Sequence, residues 1–158
     1  MKLVLLAIGK TSNGDVADII ARYVGKIVRM APFEMRILPD VKITRSAGEQ
    51  QQKSLEGARF MSQFQPGDWV ILLDERGKQL TSRQFAAMID SRMSNVRGNI
   101  YFVIGGPYGF SPEVYERADQ LLSLSAMTFP HDLIRIFFTE QIYRAFTILN
   151  NHPYHHDL

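Results

Sequence analysis

Short apolar runs alternate along the chain with longer stretches of helical period. Leu3–Ile8 is a continuous apolar run of strand length. Between Asp15 and Arg29, Val16, Ile19, Ile20, Tyr23, Val24 and Ile27 recur on one broad helical face. Phe33–Leu38 reads as a second strand, closed by Pro39-Asp40. Residues 46–64 read as a polar helix that stops at Gln65-Pro66-Gly67. Asp68–Asp74 is a third strand, apolar on both faces, with a turn at Arg76-Gly77-Lys78. Thr81 or Ser82 then caps a helix carrying Phe85, Met88 and Ile89. Asn99–Ile104 is a fourth strand, running into Gly105-Gly106-Pro107-Tyr108-Gly109. Ser111-Pro112-Glu113 is a helix start: serine accepts from free amides, proline sits where no amide is needed, and glutamate faces the positive helix end. Leu122–Phe129 reads as a short fifth strand and His131–Asn151 as a long final helix, followed by a tail to Leu158.

Strands that alternate with helices and are apolar throughout predict an α/β fold, with a mainly parallel sheet and helices on both faces. No repeat, linker or low-complexity segment divides the 158 residues, so residues 1–158 are expected to form one domain.

Composition removes several chemistries. There is no cysteine, which excludes a disulfide framework, a thiolate nucleophile and a cysteine-built metal site. The tail carries three of the four histidines, yet no acidic or cysteine partner completes a metal site around them, and none is expected. The N-terminal apolar run is short and lacks a small-residue cleavage site, so it reads as a buried strand rather than a signal peptide. No run approaches membrane-span length, and a cytoplasmic protein is expected. The net charge of +2 permits an RNA partner without requiring one.

Several segments are candidates for chemistry. The glycine-rich loop from Ile104 to Gly109 follows a strand and opens a helix, where α/β proteins bind ligands. It is neither a dinucleotide fingerprint nor a P-loop; a ligand cradle and a plain tight turn both fit it. Leu73–Lys78 offers carboxylates and cations at a strand end; the alternative is a solvated turn. Leu124–His131 mixes small, hydroxylic and apolar residues before a proline, as a base-binding stretch or an edge strand would. Arg22, Lys26 and Arg29 share a helix face that either touches phosphate or is simply solvated.

The final helix is apolar around nearly its whole circumference: Leu133, Ile134, Ile136, Phe137, Phe138, Ile142, Tyr143, Phe146, Ile148 and Leu149. The sheet can cover one face of it, and a second copy of the chain is the simplest cover for the other. Glu140 and Arg144 are spaced for a helix pair.

Taken in order, these segments resemble one family over the full length. They are Lys2–Gly9, Leu72–Lys78, Ile104-Gly105-Gly106-Pro107-x-Gly109, Leu124-Ser125-x-Met127-Thr128-x-Pro130-His131, Glu140-Gln141-x-Tyr143-Arg144-Ala145 and Asn151-His152-Pro153-Tyr154-His155. The family is that of the ribosomal RNA large subunit methyltransferase H proteins, small SPOUT enzymes that methylate N3 of a pseudouridine. The resemblance implies a SPOUT fold with a C-terminal deep trefoil knot, which general connection rules would not suggest. It implies S-adenosylmethionine as methyl donor, held by Leu73, Gly105, Gly106, Ser125, Ala126, Met127, Thr128, Phe129 and Pro130. It also implies a homodimer acting on large-subunit rRNA, with the assembled ribosome as substrate. Three positions depart from the family pattern: Tyr108, Asp132 and the ending His156-Asp157-Leu158.

Methylating an imide nitrogen requires in-line alignment and removal of its proton. Arg144 is the candidate to stabilise charge on a flanking carbonyl oxygen, Tyr154 to stack on or orient the base, and His155 to take the proton. Two rival readings remain: a non-enzymatic ribosome-binding dimer with a vestigial pocket, and an enzyme placing another small molecule at the glycine-rich loop.

Overall fold

A computed structural model describes residues 1–44 and 46–157; Leu158 of the expected tail lies outside them. Five strands, β1 (Leu3–Ile8), β2 (Phe33–Leu38), β3 (Trp69–Gln79), β4 (Ile100–Ile104) and β5 (Gln120–Ser123), alternate with five helices. The helices are α1 (Gly14–Ile27), α2 (Glu49–Met61), α3 (Ser82–Asn95), α4 (Pro112–Arg117) and α5 (His131–Leu149). The strands form one sheet in the order β2-β1-β4-β3-β5, and every neighbouring pair is parallel. Leu3 on β1 pairs with Phe33 on β2 and with Ile100 on β4, and β4 is the central strand, flanked by β1 and β3.

The sheet is covered on both faces, as its sequence pattern predicts. Leu3, Leu5, Ile71, Ile100 and Phe102 pack with Ile27 of α1, Phe85 and Ile89 of α3, and Phe138, Ile142 and Phe146 of α5. Val4, Leu6, Val70, Leu72 and Val103 pack on the other side with Phe60 of α2 and Val114 of α4. Alternate residues of one strand thus feed opposite cores, which is why the strands read as unbroken apolar runs.

Helix starts follow the capping residues. Asn13 accepts from the Asp15 and Val16 amides, at 2.9 and 3.3 Å. Thr81, not Ser82, caps α3 in a reciprocal capping box with Gln84. Ser111 caps α4, with proline in its first turn.

Two expected strand ends differ. The third strand does not stop at Asp74 before a turn but runs to Gln79. Its pairing with β5 is interrupted, so that Leu73 and Lys78 both pair with Leu122. The expected turn at Arg76-Gly77-Lys78 is therefore part of a bulge inside a longer strand. The fifth strand ends at Ser123 rather than Phe129. Beyond it, side chains compete for backbone groups: Ser123 Oγ donates to the Ser125 carbonyl, and Ser125 Oγ accepts from the Met127 amide, both at 3.0 Å. Residues 124–130 form a loop in consequence.

The final helix is covered more fully by its own chain than its circumference suggests. With α1 and α3 beside it, Phe138, Ile142, Tyr143, Ala145 and Phe146 are buried, while Leu133 and Phe137 in its first half stay exposed. Of the basic face on α1, Lys26 caps the rings of Tyr23 and Tyr143 at 5.7 and 5.2 Å, while Arg22 and Arg29 are exposed.

Candidate active site

The carboxyl ends of β3 and β4 and the loop after β5 converge on a cavity of about 750 Å³. Its wall is the glycine-rich loop. Gly106 and Gly109 bridge across the loop, and Gly109 has φ +80°, a conformation open to glycine. A Cβ on Gly105 would meet the Phe110 ring at 3.1 Å, and one on Gly106 would collide with the Glu56 carboxyl group. A side chain at Gly106 would have to displace Glu56, and the glycines leave backbone facing the cavity.

The β3 bulge forms the second wall. Asp74 accepts from the Arg76 amide at 2.8 Å, from the Arg76 guanidinium at 3.2 Å and from the Tyr115 hydroxyl. Burial pushes the Asp74 carboxyl up, but Arg76 and Tyr115 outweigh it and hold the group below its ordinary value. The cavity therefore carries an ionised acid, fixed by the bulge that moved it off the regular ladder.

The 124–130 loop closes the third side. Ser125, Met127, Thr128 and Phe129 line the cavity, with Leu73, Gly105 and Gly106 opposite. Ala126 and Pro130 do not line it; both are exposed, and Pro130 precedes α5 as its N-cap residue. Phe129 packs edge-on against Phe137, with centroids 5.5 Å apart.

A second cavity of about 650 Å³ adjoins the first, sharing Leu122, Leu124, Ser125 and Phe129 with it. Arg144 and Tyr154 line this one, together with Tyr23, Glu140 and Gln141. The tail is held in place here. Asn151 takes a left-handed φ of 55° after α5, and the His152 amide donates back to the Thr147 carbonyl at 2.8 Å. The chain then returns along the helix. Tyr154 packs edge-on against Tyr143 with centroids 4.7 Å apart, and its hydroxyl donates to Glu140 Oε1 at 3.1 Å. Arg144 donates to the same carboxylate oxygen at 2.7 and 3.0 Å.

His155 does not line either cavity, but it contacts Arg144 at 3.1 Å through Nδ1 and Asp157 at 3.0 Å through Nε2. Asp157 in turn accepts from Arg83 of α3 at 2.7 Å. The three sequence candidates Arg144, Tyr154 and His155 thus stand together, on a hub, Glu140, that pattern alone identified only as a helix pair. Glu140 holds the Arg144 pKa above its ordinary value. Burial first, then Tyr23 and Glu140, raise the Tyr154 phenol, so it stays a donor at neutral pH.

Among the described residues, no group of three or more histidine and acidic side chains could hold a metal ion, and no helix is long and apolar enough to cross a membrane.

The glycine-walled cavity and the docked tail thus lie at the carboxyl edge of a five-stranded parallel sheet. Residues 1–155 match the family described as Predicted SPOUT methyltransferase, and the chain belongs to that family. It is 48% identical over 157 residues to the ribosomal RNA large subunit methyltransferase H of Parabacteroides distasonis, covering 99% of this chain and 100% of that one. It is 51% identical to the protein of the same name from Christiangramia forsetii, covering 99% of both. The fold is similar to that of a probable methylase family protein from Haemophilus influenzae Rd KW20, with a TM-score of 0.53 and 14% identity over 94% of this chain and 66% of that one. The chain is a methyltransferase, and the methyl donor of its family is S-adenosylmethionine.

Proposed function

We propose that this chain methylates N3 of a pseudouridine in large-subunit ribosomal RNA, using S-adenosylmethionine. The observation that carries the reading is the adjacency of the two cavities, which share Ser125 and Phe129 as a common wall. The curated relatives, named as large-subunit rRNA methyltransferases, support the substrate class.

The first cavity suits the donor. Its volume falls in the range of small-molecule sites, about 300–1,000 Å³, its glycines present bare backbone, and Asp74 supplies one fixed acidic group. Leu73, Gly105, Gly106 and the run Ser125–Pro130 would hold it, with the exposed Ala126 and Pro130 contributing by shaping the loop. When bound, the donor supplies an electrophilic sulfonium methyl.

The second cavity would receive the uracil ring. Tyr154 offers an aromatic ring to orient it, held in place by the hydroxyl's bond to Glu140. Arg144, held by Glu140, would stabilise the negative charge that spreads onto a carbonyl oxygen as N3 loses its proton. His155 is the proposed proton acceptor. It stands behind Arg144 and takes that part only when the Arg144 contact on Nδ1 opens.

The reading includes a single-domain chain with the deep trefoil knot of SPOUT enzymes, a cytoplasmic homodimer and the assembled ribosome as substrate. Exposed Met127, Leu133 and Phe137 beside the site support pairing with a second copy.

Hydrogen exchange with and without S-adenosylmethionine tests the donor site. Protection confined to residues 73–76, 104–110 and 124–130 is expected. Protection elsewhere, or no binding, would favour a vestigial pocket or a different ligand.

A further inference from the structure

The mechanism above leaves one buried acid unused. Glu56 of α2 is 4% exposed, and its Oε1 has no hydrogen-bond partner among the described residues. It lies outside both cavities, directly behind the glycine-rich loop. Both of its carboxyl oxygens occupy the space that a side chain on Gly106 would fill. The next residue makes a similar contact further along: a Cβ on Gly57 would overlap Ser111, the cap of α4. Glycine inside a helix is unfavourable, and here it lets α2 approach the end of the same loop. The pair Glu56-Gly57 therefore supports the loop at both ends, under Gly106 and under Ser111.

We propose that Glu56 is a positioning residue for the methyl-donor loop: its carboxyl group props Gly106 from behind and sets the backbone that faces the cavity. The inference rests on the reading that this cavity holds S-adenosylmethionine. Burial pushes the Glu56 carboxyl upward from its ordinary value, Asp40 adds to that, and Gln52, one turn earlier, opposes it. A prop needs shape and hydrogen-bonding capacity rather than charge. An orphaned buried oxygen is costly unless the site gains from it, and here it is aimed at backbone that a ligand would contact.

The test uses the full chain and separates Km from kcat. Glu56→Asp withdraws the carboxyl from the loop. It is expected to raise the Km for S-adenosylmethionine about tenfold, with kcat near that of the parent and the fold retained at working temperature. Glu56→Gln keeps the shape and is expected to stay near the parent Km. Gly106→Ala should weaken donor binding by collision with Glu56, and adding Glu56→Asp to it should restore part of that loss. A parent-like Km in Glu56→Asp, an equal defect in Glu56→Gln, or a double variant no better than Gly106→Ala would each overturn the inference. Parent-like donor binding in Gly106→Ala would also overturn it, by showing that the Glu56 carboxyl yields, whereas no donor binding by the folded parent chain would overturn the assignment of the cavity itself.

Discussion

Arg144 Nη1 lies 3.1 Å from His155 Nδ1, while the other ring nitrogen of His155 lies 3.0 Å from Asp157. A guanidinium only donates, so Nδ1 accepts, and the ring proton sits on Nε2 facing the carboxylate. The contact fixes the histidine tautomer and, with Glu140, fixes the arginine. Arg144→Ala should therefore lower kcat by about 10²–10³-fold, the usual cost of removing a group that stabilises developing charge. Affinity for S-adenosylmethionine should stay near that of the parent. Single-turnover methyl transfer with a parallel donor titration checks both, and parent-like turnover would remove Arg144 from the chemistry.

His155→Ala removes the proposed proton acceptor and one of the groups orienting Arg144. A fall in kcat of about 10²-fold or more is expected from loss of a general base. Full turnover in this variant would show that the proton leaves by another route.

The tail should respond to acid. Asp157 is held at about 2, below its ordinary value, by Arg83 first and then His155. An acid whose folded pKa is depressed stabilises the docked tail above its unfolded pKa, near 4, and that contribution disappears as pH falls toward 2. Asp157→Asn should speed amide exchange in residues 152–157 at neutral pH. Because the ion pair is exposed, the melting temperature should move by no more than about 2 °C. Unchanged tail exchange would show that Asp157 does not hold it.

At Gly77, β3 touches β5. A Cβ there would lie 2.5 Å from the Leu122 amide nitrogen. Gly77→Ala should destabilise the fold by about 1–3 kcal/mol, as overpacking does, and should weaken donor binding because Leu122 is shared by both cavities. Urea unfolding and a donor titration read the two effects. A variant of parent stability would contradict the close approach.

Much of this was legible in the residues. Apolar runs gave the strands and the parallel sheet, and Thr81 and Ser111 marked helix starts, whereas the Asn13 cap emerged only in the structure. The glycine-rich loop and the tail stood out as candidates for chemistry. Other features depend on contacts between distant segments. Nothing local in Leu124–Phe129 distinguishes a strand from a loop, because the outcome is set by two serine side chains competing for backbone groups. The β3 bulge follows from pairing with a strand more than forty residues away. Tyr115 reaches the site, and Glu56 the back of its loop, only through the packing of α4 and α2, although a glycine inside a helix at Gly57 was a signal of close approach.

Phe137, which packs on Phe129, is 43% exposed, and Met127 in the same loop as Phe129 is 74% exposed. If a second copy covers this surface, Phe137→Glu should yield a monomer in sedimentation equilibrium and should lose methyl transfer while keeping its helical content. A dimer of parent affinity would place the interface elsewhere.

The central claim is tested most directly by incubating the protein with labelled S-adenosylmethionine and ribosomes that lack the modification, then mapping the labelled nucleoside. The account predicts label on N3 of a pseudouridine in the large-subunit RNA, and its loss in Arg144→Ala. Label on another nucleoside or in the small subunit, or no label from a folded protein that binds the donor, would contradict it.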